Sequence, residues 1–166
     1  MSVLFSIPIL GLVAVLQSAV VSRLPLNSGT ADLMLVLLVS IALQKGVRET
    51  WQWSIVGGLL TDSISGLPFG IFTFSYLLAT GLAVALRERI WQFSFLMQLL
   101  VVLVGTVVSH GLAYLVTFFE GANLVFASVL QVITLPSIIL NFMLSVPIFI
   151  LTRDVLEYFI PQENNA

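Results

Sequence analysis

Residues 31–70 read ADLMLVLLVSIALQKGVRETWQWSIVGGLLTDSISGLPFG. An apolar run opens at Ala31-Asp32-Leu33, breaks at Lys45, Arg48 and Glu49, resumes at Trp51 and loses helical character near Gly66-Leu67-Pro68. Taken as one segment, the run is overlong for a bilayer and carries three charges in its middle. Taken as two, it is a hairpin of short helices, residues 31–44 and 51–66, each below the roughly 20 residues that normally cross the hydrocarbon. Protein neighbours can shield short helices from lipid, and the hairpin is the better reading.

The rest of the chain follows the same pattern of apolar runs separated by charged clusters. Further spans are expected over residues 3–22, 69–86, 91–119 and 124–152, ending at Arg23, Arg87-Glu88-Arg89, Glu120 and Arg153-Asp154. Residues 1–160 then form one all-α, polytopic bundle of six transmembrane helices, and 161–166 are a polar tail. Composition agrees: 59% of the 166 residues are hydrophobic and 8% are charged, with mean hydropathy +1.13. Soluble domains carry about 25% charged residues, so fourteen charged side chains (six basic, eight acidic) point to lipid as the solvent. The last two runs are longer than a bilayer needs, which predicts tilt, extension beyond it, or kinks at Pro136 and Pro147. A cleaved signal peptide is disfavoured for the first run, because no Lys or Arg precedes Arg23.

Charge sets the expected orientation. With six spans, Lys45, Arg48, Arg87, Arg89 and Arg153 share a side with both termini, and Arg23 lies alone on the other. The positive side is cytoplasmic, so both termini are expected inside a bacterial inner membrane. Trp51, Trp53 and Trp91 sit beside the basic loops, where an interfacial aromatic belt belongs. A net charge of −2 without a basic cluster argues against nucleic-acid binding. No cysteine is present for a disulfide, a thiol nucleophile or a thiolate metal site.

Within the spans, the polar residues fall into stripes. Gly105, Thr106, Ser109, His110, Ala113 and Thr117 share a helical face, as do Gln131, Thr134, Ser137, Asn141 and Ser145. Ser75, Ala79 and Ala83 recur at spacing four. Such faces serve helix–helix packing, the favoured reading, or line a small-molecule pocket, here one built on His110 and Asn141. His110 has no second His or carboxylate near it in sequence, and an interhelical hydrogen bond suits it better than a proton relay.

Asp62 carries the most information. It lies about 17 Å along a helix from Trp51, within the hydrocarbon or near its outer edge, and shares a face with Ile55 and Gly58. An intramembrane carboxylate is a functional candidate by default. The favoured alternative is structural: capping the broken end of a neighbouring helix, or accepting hydrogen bonds from Ser63, Ser65 and freed backbone N–H groups. Asp32, beside the turn at residues 25–30, reads as an N-cap. No G-x-S-x-G, H-E-x-x-H, P-loop or dinucleotide fingerprint occurs, and Asp32 and Asp62 lack the glycine-flanked context of an intramembrane aspartyl dyad. Neither a cofactor nor a metal site is expected.

The pairing of Gly58-Leu59-Leu60-Thr61-Asp62 with Gly66-Leu67-Pro68-Phe69-Gly70, after an apolar helix opening at Ala31-Asp32-Leu33, resembles the rod-shape-determining protein family MreD. Members often carry a proline where this chain has Ala31. Gly57, Gly58, Gly66 and Gly70 permit close backbone approach, and Pro68 ends a helix, so Gly57, Gly58, Asp62, Gly66, Pro68 and Gly70 are the candidate structural or interface residues. The resemblance implies a bundle similar to the substrate-binding subunits of energy-coupling-factor transporters. It also implies a non-enzymatic scaffold of the cell-wall elongation machinery. Its implied partners are the bitopic protein MreC, the MreB filament, the glycosyltransferase RodA and its penicillin-binding transpeptidase. The competing reading is a small-molecule (vitamin-like) binding subunit of a transporter.

Overall fold

One helix is apolar on almost every side and buried on almost every side. Helix α2 (Leu33–Leu43, LMLVLLVSIAL) has nine of its eleven residues buried, and every other long helix packs against it. At about 16 Å it is shorter than the hydrocarbon thickness of a bilayer. The computed structural model describes residues 3–19, 26–44, 47, 49–89 and 94–159. Arg23, Pro25, Lys45, Arg48, Trp91 and the tail 161–166 lie outside them, and with them part of the charge count and one tryptophan of the belt.

Around α2 stand α1 (Val3–Ala19), α3 (Thr50–Ser65), α4 (Ile71–Arg89) and α5 (Ser94–Phe119). The last rod comprises α6 (Phe126–Val129), a π-helical turn over Leu130–Thr134, and α7 (Leu135–Phe159). The residues at both junctions stay in the right-handed helical region, so the rod is continuous. The described residues contain no strand, only one isolated bridge between Leu26 and Gly29. Two stretches, Phe95–Phe119 and Phe126–Leu156, are long and apolar enough to cross a membrane.

The polarity of the bundle is inverted relative to a soluble protein. Ser40, Ser54, Ser75, Thr80, Gln98, Thr106, Ser137, Asn141 and Ser145 are buried, while Leu12, Phe74, Leu78, Leu115, Met143 and Leu151 face outward. Lipid does not drive apolar side chains inward, so packing and internal hydrogen bonds hold such a bundle together. Ser40 donates to Gln98 Oε1 at 2.9 Å, Gln98 Nε2 donates to the Ser145 carbonyl at 3.2 Å, and the Ser54 and Thr80 hydroxyls pair. These bonds tie α2 to α5, α5 to α7, and α3 to α4.

Both ends of α2 are closed by named groups. At the start, Asp32 Oδ1 accepts the Leu35 N–H at 2.9 Å, the N-cap its position predicted. At the far end, Arg87 Nη1 of α4 donates to the carbonyls of Ala42, Gln44 and Val47 at 3.1, 2.8 and 3.4 Å. A cation there answers both the unsatisfied carbonyls and the negative end of the helix dipole.

The break expected around Pro136 takes a specific form. Proline has no N–H, so the carbonyl four residues back, at Val132, loses its helical partner, and the helix widens into the π turn just before the proline. The backbone N–H of Ser28 takes that carbonyl at 3.2 Å. At Pro147 the helix simply continues.

Candidate functional site

Of the residues singled out in sequence, Gly58, Asp62, Gly66, Pro68 and Gly70 lie at the α3–α4 crossing. Gly58 faces α4 so closely that a Cβ there would lie 2.4 Å from the Thr73 Cα. Only glycine allows that approach. Gly57, one position on, turns toward α2, where a Cβ would meet the flexible ends of Leu38 and Met34 at 3.0 and 3.1 Å. One turn beyond Gly58 sits Asp62, 3% exposed. Its Oδ1 accepts the Phe72 N–H at 2.9 Å, and its Oδ2 accepts the Thr73 N–H at 3.1 Å and the Thr73 hydroxyl at 2.6 Å.

Asp62 therefore caps the first turn of α4, the helix that follows its own. A carboxylate satisfies orphan N–H groups there and lies at the positive end of the helix dipole. Ser63 and Ser65 do not supply the donors: their hydroxyls bond the backbone carbonyls of Leu59 and Asp62. Ile55, expected on the same face, points outward.

The connection between the two helices is set by its backbone. Gly66 closes α3 at φ 70°, Gly70 precedes α4 at φ 104°, and half-buried Pro68 lies between them. Both glycines occupy the left-handed region that side chains disfavour. This tight reversal brings Phe72 and Thr73 back over Asp62.

A second carboxylate forms a separate hub. Asp32 caps α2 and also accepts the Tyr76 hydroxyl of α4, 2.8 Å from each oxygen. Its own N–H donates to Asn141 Oδ1 at 2.6 Å, and Asn141 Nδ2 donates to Thr106 at 2.8 Å. Gln17 of α1 accepts the Met34 N–H at 2.9 Å and hydrogen-bonds Asp32. One aspartate thus links α1, α2, α4 and α7, with α5 one bond further away. Each carboxylate has its own donors, and no shared dyad is built.

Leading into Asp32 are the turn expected from composition, seen at Asn27-Ser28 with Asn27 at φ 60°, and an irregular stretch from Thr30 onward. The N–H groups of Ser28, Thr30 and Asp32 donate to the Val132 carbonyl, the Ser137 hydroxyl and Asn141 Oδ1 in turn. Alternate residues from the turn to the N-cap thus meet successive turns of the last helix. Gly29 lies between them where a Cβ would be 2.5 Å from the Ile133 carbonyl. Ser137 and Asn141 belong to the stripe predicted for this helix, whereas Gln131 is exposed.

His110 and Asn141 do not come together. Asn141 is fully buried in the Asp32 hub. His110 Nδ1 pairs with the Thr134 hydroxyl at 3.1 Å and borders a cavity of about 280 Å³ between α5, the α3–α4 turn and the last rod. Of the hydroxyls on that cavity, Ser109 donates to the Gly105 carbonyl and Thr117 to the Ala113 carbonyl of their own helix, and Tyr114 donates to the Leu124 carbonyl beyond it at 3.4 Å. Tyr76, Gln98 and Arg87 were missed in sequence. The available signal was generic: a polar side chain within an apolar run needs a partner.

The glycine-flanked reversal closed by an aspartate is the feature a family comparison has to explain. The sequence profile of the rod shape-determining protein MreD matches residues 1–159. The chain belongs to the MreD family. No curated protein and no solved structure matches it significantly. As an MreD family member it is a rod-shape-determining membrane protein, and the match extends over every described helix.

Proposed function

We propose that this MreD family chain is a non-enzymatic membrane scaffold of the elongation machinery, which maintains rod shape by binding MreC together with RodA, its penicillin-binding transpeptidase and the MreB filament. In this reading residues 1–160 form six spans with both termini cytoplasmic in the inner membrane, arranged like the substrate-binding subunits of energy-coupling-factor transporters. Gly58, Asp62, Gly66, Pro68 and Gly70 hold the α3–α4 crossing, and Gly57 the packing of α3 on α2, on which the contact surface depends.

One observation carries the reading. Most of the described buried polar groups are engaged, as caps, interhelical hydrogen bonds or bonds to their own helix, and large apolar side chains face outward. That arrangement builds a rigid body for other helices to pack against. The transporter alternative calls for uncommitted polar groups around a ligand, and beside His110 the Ser109, Thr117 and Tyr114 hydroxyls each already donate to a backbone carbonyl.

Depletion in a rod-shaped host tests the proposal: cells are expected to round. Unchanged cell shape, together with sub-micromolar binding of a vitamin-like ligand by the purified chain, overturns it in favour of the transporter subunit. Orientation has its own test on this cysteine-free chain. A cysteine replacing Gly46 or Glu88 is expected to resist periplasmic labelling in intact cells, and labelling there contradicts the topology.

A further inference from the structure

The polar stripe of the last rod has one member out of place. Thr134, Ser137, Asn141 and Ser145 are buried, whereas Gln131 is exposed among the outward side chains of Leu130, Val132 and Leu135. An amide on such a face is unfavourable beside lipid, and polar side chains of membrane helices turn toward other helices. The π turn is what displaces it. Across Leu130–Thr134 the ladder is wide, and the Leu135 N–H donates to the Leu130 carbonyl, five residues back instead of four. A wide turn holds one extra residue and rotates everything before it by about one position, roughly 100°.

We infer that the π turn is a two-state register switch whose α-helical state carries Gln131 inward, beside His110. In that state the Leu135 N–H moves one carbonyl along, from Leu130 to Gln131. In the wide turn the Gln131 carbonyl stands opposite Pro136, which has no N–H to give it. After the shift, each side chain from Phe126 to Gln131 takes the place of the one before it. Gln131 enters the place of Leu130 in a cavity of about 130 Å³, which His110, Tyr114 and Thr134 also line. There is room for it: a Cβ on Gly111, in the same lining, would meet nothing within 4 Å.

Identifiable forces oppose each other across the switch. The Pro136 ring clashes with the Val132 carbonyl in a tight turn and favours the wide one, which also keeps the edge contact of Tyr114 with Phe126. The Gln131 amide gains helix partners in the tight one. The anchors of the rod survive the change. Ser137 and Asn141 lie beyond the turn, and the Val132 carbonyl keeps the Ser28 N–H, since Pro136 cannot claim it in either register. The irregular residues 122–125 absorb the rotation. The switch is independent of the scaffold reading and gives the outer end of the rod two surfaces to offer.

One histidine and no cysteine in the chain allow two readouts. With ring-nitrogen-labelled histidine in lipid nanodiscs, the NMR spectrum is expected to show two sets of His110 signals, or one set at an intermediate position. Gln131→Leu removes the amide and is expected to leave the set of the wide turn. Pro136→Ala removes the clash and is expected to leave the other set. A wild-type spectrum that coincides with that of either variant overturns the inference. Should a variant fold poorly, cysteine pairs in the otherwise unchanged chain decide. Gly111→Cys is combined with Leu130→Cys, Gln131→Cys or Ser128→Cys and treated with a short bifunctional thiol reagent. The Leu130 pair reports the wide turn and the Gln131 pair the tight one. Ser128 is exposed in the wide turn and takes the exposed place of Ala127 in the tight one. Crosslinking of the first two pairs and not the third is expected. Failure of either of the first two, or equal reaction of the third, overturns the switch.

Discussion

Asp32 and Asp62 each accept first-turn N–H groups of a helix, yet they do different work. Asp32 caps the helix it begins, through Leu35 three residues on, and adds the Tyr76 hydroxyl as a tertiary bond. Asp62 sits near the end of α3 and caps α4, through Phe72 and Thr73 ten and eleven residues on. Removing the first carboxylate loosens a helix start that other bonds still hold. Removing the second opens a crossing whose backbones are within contact at Gly58 and Thr73. The α3–α4 junction is accordingly the more fragile of the two.

The largest expected effect is at Asp62→Leu. Two backbone N–H groups and one hydroxyl lose their acceptor at once, each costing about 1–3 kcal/mol. Folded protein in mild detergent, followed by fluorescence-detected size exclusion, should fall sharply. Asp62→Asn keeps one carbonyl oxygen and should be tolerated far better. Equal loss of function in both variants at unchanged folded levels would show that the charge itself is required.

Next comes the contrast between adjacent glycines. Gly58→Ala presses on the Thr73 backbone and should cost about 1–3 kcal/mol, whereas Gly57→Ala meets only flexible Leu38 and Met34 side chains and should cost under about 1 kcal/mol. Thermal midpoints of the two purified variants check the order. A reversed order would mean that α3 approaches α2, not α4, most closely.

Tyr76→Phe should be the mildest change, near 1 kcal/mol, because Asp32 retains the Leu35 N–H and Gln17. A loss as large as that of Asp62→Leu would make the Asp32 hub the principal clamp and invert the comparison.

The same pair of aspartates shows what the sequence could disclose. The cap at Asp32 was legible because its acceptor and donor lie within one turn of each other, and the apolar run after it is unambiguous. For Asp62, the breaker residues Gly66 and Pro68 announced a broken helix end, but naming Phe72 and Thr73 required the path of the reversal, which two positive φ angles set. The Ser28–Asp32 ladder on the last helix was illegible, since its acceptors lie more than a hundred residues away. The polar stripes marked the inward faces but could not pair them. Thr106 and Asn141 do bond, whereas His110 and Asn141 do not share a cavity.

The central claim, that this MreD family chain works by holding partner proteins, is tested most directly by affinity purification from native membranes in mild detergent, with the recovered proteins identified by mass spectrometry. MreC is expected in constant ratio to the chain, and is expected to be lost from Gly58→Leu protein that still reaches the membrane. Recovery of an ATPase module without MreC would contradict it.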